Sequence, residues 1–217
     1  MAQQGRIVGI DVSKLKANAC IRSLQLGLSK PSTPQGEQEL IAWLRDNGVG
    51  LAVMEASGGY ERGWAQALRQ AGIAALHRAI EGVSCTTAVH ICYGYGIKAN
   101  VDWKATLGSE WRQYEAIFPA LAQSRIDQVS VECAGAKVPL DLLRLLQDKE
   151  VLLGAIDVAS ERVETPEEVA ATIEQASRFV PVERLYPCTN CGMAPMDRSL
   201  AISKLAALSA GAALARG

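Results

Sequence analysis

Short apolar runs separated by turn residues and amphipathic stretches organise this chain. Residues 6–12 (Arg-Ile-Val-Gly-Ile-Asp-Val) predict a buried strand, residues 17–22 a second, and 24–29 a third. A loop over 31–36 offers Ser32 or Thr33 as cap to a helix whose inner face carries Leu40, Ile41 and Leu44 and which closes at Asn47-Gly48. Residues 50–55 predict another strand, Gly58-Gly59 a turn, and 60–70 a helix that stops at Gly72. From residue 76 the rhythm changes. Strands are expected over 85–92, 128–133, 151–158 and 185–187, with helical segments over 103–123 (broken near Pro119), 139–147, 165–180 and 198–214. Thr165-Pro166-Glu167-Glu168 has the form of a capping box with proline in the first turn. Apolar strands alternating with helices predict a parallel α/β architecture.

Composition narrows the class. The chain has 217 residues, enough for one large or two small domains, and its 49% hydrophobic content can fill a core. Aromatics make up only 5%, so alanine and leucine carry the apolar load. A net charge of −1 gives no basic field to recruit nucleic acid or an anionic membrane surface. No apolar run approaches the roughly 18 residues of a membrane span, and Met-Ala-Gln-Gln-Gly lacks the layout of a signal peptide. The six cysteines are not packed as a secreted disulfide framework, so a reducing cytoplasmic setting and metal binding are expected over disulfides.

Four side chains carry the chemistry: His90, Cys92, Glu132 and Cys191. Two thiols, an imidazole and a carboxylate are the ligand types of a tetrahedral zinc site. Each lies at or just past the C-terminal end of a predicted strand, and the two-residue spacing puts His90 and Cys92 on one side of theirs. Spacing alone leaves other readings open, since Cys188 and Cys191 form a Cys-x-x-C that can be a redox pair or a chance loop pair.

Several segments resemble the cobalamin-independent methionine synthase family in its short form. They are His-Ile-Cys-Tyr-Gly (90–94), Gln-Val-Ser-Val-Glu-Cys-Ala (128–134), Gly-Ala-Ile-Asp-Val (154–158), Arg-Val-Glu-Thr-Pro-Glu-Glu-Val (162–169), Pro-Cys-Thr-Asn-Cys-Gly-Met (187–193) and Lys-Leu-Ala-Ala-Leu (204–208). The resemblance covers residues 76–217 and implies the C-terminal half of a (β/α)8 TIM-type barrel, about four strand–helix units. It implies a zinc site on His90, Cys92, Glu132 and Cys191, and methyl transfer to homocysteine thiolate from a methylated folate or another carrier. Cys188 is an extra thiol beside that set. Long-form members read Asp-Ile-His-Ser where this chain has Asp157-Val158-Ala159-Ser160, so the imidazole expected as proton donor is missing and no catalytic residue is assigned.

Residues 6–73 resemble a different family. Gly-Ile-Asp-Val-Ser-Lys (9–14) and Glu-Ala-Ser-Gly-Gly-Tyr-Glu (55–61) are similar to the start of DEDD-type insertion-sequence transposases, with their RNase H-like α/β domain. That implies Asp11 and Glu55 side by side as magnesium-binding carboxylates. The remaining acidic ligands of that family have no counterpart, and Asp102 and Asp127 belong to the synthase-like part. The chain thus reads as two domains, 1–75 and 76–217: a transposase fragment joined to a half barrel. Expected consequences are impaired methyl transfer, oligomers through open barrel edges, or a non-catalytic product of gene disruption.

Overall fold

The computed structural model describes residues 6–54, 61–93, 102, 104–194 and 196–217. The chain divides into two compact units, Met1–Leu76 and His77–Gly217.

The first unit is a four-stranded sheet with helices. Strand β2 (Lys16–Ile21) pairs antiparallel with both β1 (Arg6–Val12) and β3 (Leu26–Pro31), and β4 (Val49–Met54) lies parallel to β1, giving the order β3-β2-β1-β4. Helix α1 (Pro34–Asp46) connects β3 to β4. Thr33 caps it by accepting from the Gly36 N–H, with Pro34 in the first turn where no N–H is needed. Alternation along β1 and β2 buries Val8, Ile10, Val12, Ala17, Ala19 and Ile21 against Leu40, Leu44 and Trp64. Helix α2 (Glu61–Ala79) continues through Gly72, where the sequence predicts a stop. The Ala-Gly-Ile-Ala-Ala-Leu run around it is otherwise helix-forming, and an isolated helical glycine costs only about 1 kcal/mol against alanine.

The second unit is built on four parallel strands in sequential order: β5 (Ala88–Ile91), β6 (Gln128–Glu132), β7 (Glu150–Ile156) and β8 (Leu185–Thr189). Four parallel strands are half the complement of a (β/α)8 barrel. Val129, Val131, Val151 and Leu153 are fully buried on the helix-facing side with Phe118, Leu121, Leu142 and Leu146. The opposite face carries His90, Ser130 and Leu152 in one row, and Glu132, Gly154 and Cys188 in the next.

The connections differ in part from expectation. Over 103–123 the described residues form no single long helix. A 3-10 turn over Gln113–Ala116 leads into α3 (Phe118–Ala122), where Pro119 opens the helix rather than breaking it. Residues Leu140–Leu146 form a 3-10 helix instead of an α-helix. Helix α4 (Pro166–Ala176) starts at the expected capping box, with Thr165 accepting from the Glu168 N–H and Glu168 answering to the Thr165 N–H. Helix α5 (Arg198–Leu214) is capped by Asp197, which accepts from Ser199 and Leu200. Among the described residues no helix is long and apolar enough to cross a membrane.

Candidate metal centre

Parallel pairing sets His90 opposite Ser130, and the Ser130 hydroxyl lies 2.9 Å from His90 Nδ1. With Nδ1 engaged there, Nε2 is the nitrogen open to a ligand. Cys92 follows the last residue of β5. Cys191 sits beyond β8, and although 99 residues separate the two cysteines, their sulfurs lie 3.9 Å apart. Ligand atoms of His90, Cys92 and Cys191 all fall within 4.8 Å of one another.

The sulfur separation is chemically informative. A disulfide would hold the sulfurs about 2.05 Å apart. Two zinc–sulfur bonds of about 2.3 Å meeting at the tetrahedral angle place their sulfurs about 3.8 Å apart. At 3.9 Å the two sulfurs are in hydrogen-bond contact, a separation that a thiolate–metal tetrahedron would also accept, and the imidazole beside them adds a third donor of a type suited to zinc.

Glu132 is not in that group of three. Its carboxylate is fully buried, and Oε1 accepts from the Tyr93 N–H at 2.6 Å and the Tyr114 hydroxyl at 3.2 Å. It thus reaches the residue next to Cys92. Burial and then the Glu132 charge push the Tyr93 phenol up to about 12, and the Tyr114 phenol well above its usual range. Both tyrosines pack in an aromatic ladder, with Tyr93 4.8 Å from Tyr114 and 5.0 Å from Trp111 between ring centroids.

Two further thiols, Cys133 and Cys188, lie beside the site. Cys133 bonds to the Val131 carbonyl at 3.8 Å, and burial, then Cys188 and Glu132, drive its thiol pKa upward. Burial also raises Cys188, against a hydrogen bond with Ser130.

Sequence reading missed the groups that hold the rim together. Asn190 and Glu164 are buried, and Lys204 is fully so. Lys204 Nζ donates to the Asp157 carbonyl at 3.0 Å, the Arg162 carbonyl at 2.5 Å and Glu164 at 2.9 Å, clasping the loop after β7. The one signal in the sequence was a lysine inside the apolar run Ala-Ile-Ser-Lys-Leu-Ala-Ala-Leu.

In the first unit, Asp11 is an exposed residue of β1 paired with Asn18. Ile10 is registered with Met54 on β4, each one residue before the acids named above; Glu55 itself lies outside the described residues.

A parallel half-barrel sheet brings an imidazole and two thiols together at its C-terminal rim, a group that could hold a metal ion on an α/β scaffold. The family model for the cobalamin-independent synthase catalytic domain matches residues 61–213, and the chain belongs to that family. Methionine synthases from Thermococcus kodakarensis and Saccharolobus islandicus are 29% identical over 145 residues and 30% identical over 147, covering 66% and 67% of this chain. The structure of a B12-independent methionine synthase from Shewanella sp. W3-18-1, in complex with selenomethionine, superimposes with a TM-score of 0.67 and 51% identity over 83% of this chain. The chain spans 38% and 39% of the two curated relatives and 52% of the Shewanella protein. The family match reaches back to Glu61, the first residue of α2.

Proposed function

We propose that the second unit is the zinc-bearing half of a methionine-synthase-type barrel that takes part in methyl transfer to homocysteine. The observation that carries this is the meeting of His90, Cys92 and Cys191 within 4.8 Å on a chain of this family. Zinc, when bound, supplies the charge that makes a substrate thiol nucleophilic at neutral pH. His90 Nε2 and the sulfurs of Cys92 and Cys191 would hold it, with Glu132 as fourth ligand. Ser130 fixes the imidazole, and the Tyr93 N–H and Tyr114 hydroxyl keep the Glu132 carboxylate aimed at this rim. The methyl donor is a methylated folate or another carrier, and the free thiols suit a reducing cytoplasm.

Elemental analysis of the purified chain beside Cys191→Ser tests this. About one zinc per chain, much reduced in the variant after dialysis against a chelator, is the expected result; a metal-free wild type would sink the reading.

For the part of the first unit that precedes Glu61, where the family match begins, the reading is a fragment of an RNase H-like transposase domain that takes no part in methyl transfer. Supporting it are the sheet order β3-β2-β1-β4, with only β4 parallel to β1, and the placing of Asp11 on β1. Asp11→Ala should leave zinc content unchanged; a loss of zinc in that variant would count against it.

A further inference from the structure

Cys191 has to be delivered to the metal centre by a turn outside any regular element, and one buried side chain organises that turn. Asn190, 1% exposed, donates from Nδ2 to the Ala134 carbonyl at 2.7 Å and to Asp157 Oδ1 at 3.4 Å, and accepts from the Val158 N–H at 3.0 Å. Its own N–H donates to the Ile156 carbonyl at 2.9 Å. One residue therefore ties together the segments that follow β6, β7 and β8. Gly154 lies beneath it: a Cβ there would stand 2.6 Å from Asn190 Cα, so only glycine lets the turn descend this far. The Asp157 end is anchored in turn, since its N–H donates to Glu164 at 2.9 Å and its carbonyl accepts from Lys204. Cys191 itself meets Cys92 through its sulfur at 3.9 Å, and its carbonyl accepts from the Thr189 hydroxyl at 2.9 Å.

We infer that Asn190 is a positioning residue for Cys191, setting the sulfur at its metal-binding distance from Cys92 through the three-loop clasp. The inference rests on the zinc reading given above. A general structural role would lower stability without regard to Cys191. A positioning role acts on metal affinity through that one ligand.

A double-mutant cycle separates the two. Zinc affinity is measured by chelator competition, and sulfur-to-cobalt charge-transfer absorbance on the cobalt(II) form, for the full chain, Asn190→Ala, Cys191→Ser and the double variant. Asn190→Ala should weaken zinc by about 10- to 100-fold, as expected for lost support of a ligand. It should also reduce the charge-transfer absorbance per cobalt towards that of Cys191→Ser. In the Cys191→Ser background the same change should have no further effect. Asn190→Ser, a milder change, supplies the same comparison should the alanine variant not fold. Unchanged affinity, or an equal loss with and without Cys191, would overturn the positioning role. A wild type that binds no metal, or a Cys191→Ser chain that binds as tightly as wild type, would instead remove the zinc reading beneath it.

Discussion

At the scale of single residues the metal centre is a contrast of four thiols. Cys92 and Cys191 approach each other to 3.9 Å, while Cys133 and Cys188 are pushed towards the protonated state by burial. Cys188→Ser should therefore retain nearly all zinc, and Ser130→Ala, which releases His90 Nδ1, should weaken it by about 10- to 100-fold in chelator competition. Equal loss in the two variants would contradict the assignment. The buried phenols give a pH dependence. Folded Tyr93 holds its proton up to about 12 and Tyr114 beyond its usual range, whereas unfolded tyrosine loses its proton near pH 10. The stabilising contribution is complete below about pH 10 and declines as pH rises towards about 12. Urea midpoints across that window should fall, and Tyr114→Phe should flatten the fall; midpoints unchanged throughout would refute it. The candidate donors His90, Cys92 and Cys191, which the structure brings together, were legible in the sequence because their chemistry is intrinsic to each side chain. Asn190 and Lys204 were not, because their partners come from other strands and loops, 56 and 47 residues away in the cases of Ala134 and Asp157.

At the scale of elements, strands were read well and connections poorly. The alternation Val129-Ser130-Val131 and the apolar run Val151–Ile156 announce buried strands by themselves. The segment after Trp111 misleads, since its apolar residues pack as short 3-10 and α turns around Tyr114 and Phe118, an arrangement that the 3.6-residue period alone does not reveal. Two glycines test the packing. Gly72 in α2 has nothing within 4 Å of a would-be Cβ, so Gly72→Ala should stabilise by about 0.5–1 kcal/mol. Gly211 in α5 is the opposite case: a Cβ would meet Val169 at 2.5 Å and the Pro166 carbonyl at 2.7 Å, where α4 crosses. Gly211→Ala should cost about 1–3 kcal/mol through forced separation of the two helices. Chemical denaturation of both variants checks the pair, and a stabilising Gly211→Ala would show that the crossing is looser than described.

At the scale of the molecule, zinc should act on one unit only. Ligand at about 100 times its dissociation constant adds about 2.7 kcal/mol to the state that binds it. Hydrogen exchange should slow in peptides from β5 to β8 on adding zinc, with those from β1 to β4 unchanged; slowing in both would disprove a site confined to the second unit. The sheet order of that unit also bears on how the chain reaches its native state. Gln128 and Glu150, paired on β6 and β7, are 22 residues apart; His90 and Ser130, on β5 and β6, are 40 apart; the residues carrying the two converging sulfurs, Cys92 and Cys191, are 99 apart. Loop-closure entropy rises with separation, and non-local parallel pairing is slow to form. The β6–β7 pair is then the natural nucleus, and the thiols meet only when the outermost strands have docked. In refolding with cobalt(II) present, sulfur-to-metal absorbance should lag behind the recovery of secondary structure. Such a lag would make the proposed metal centre a reporter of the last folding step, assembled by the sheet rather than a seed for it.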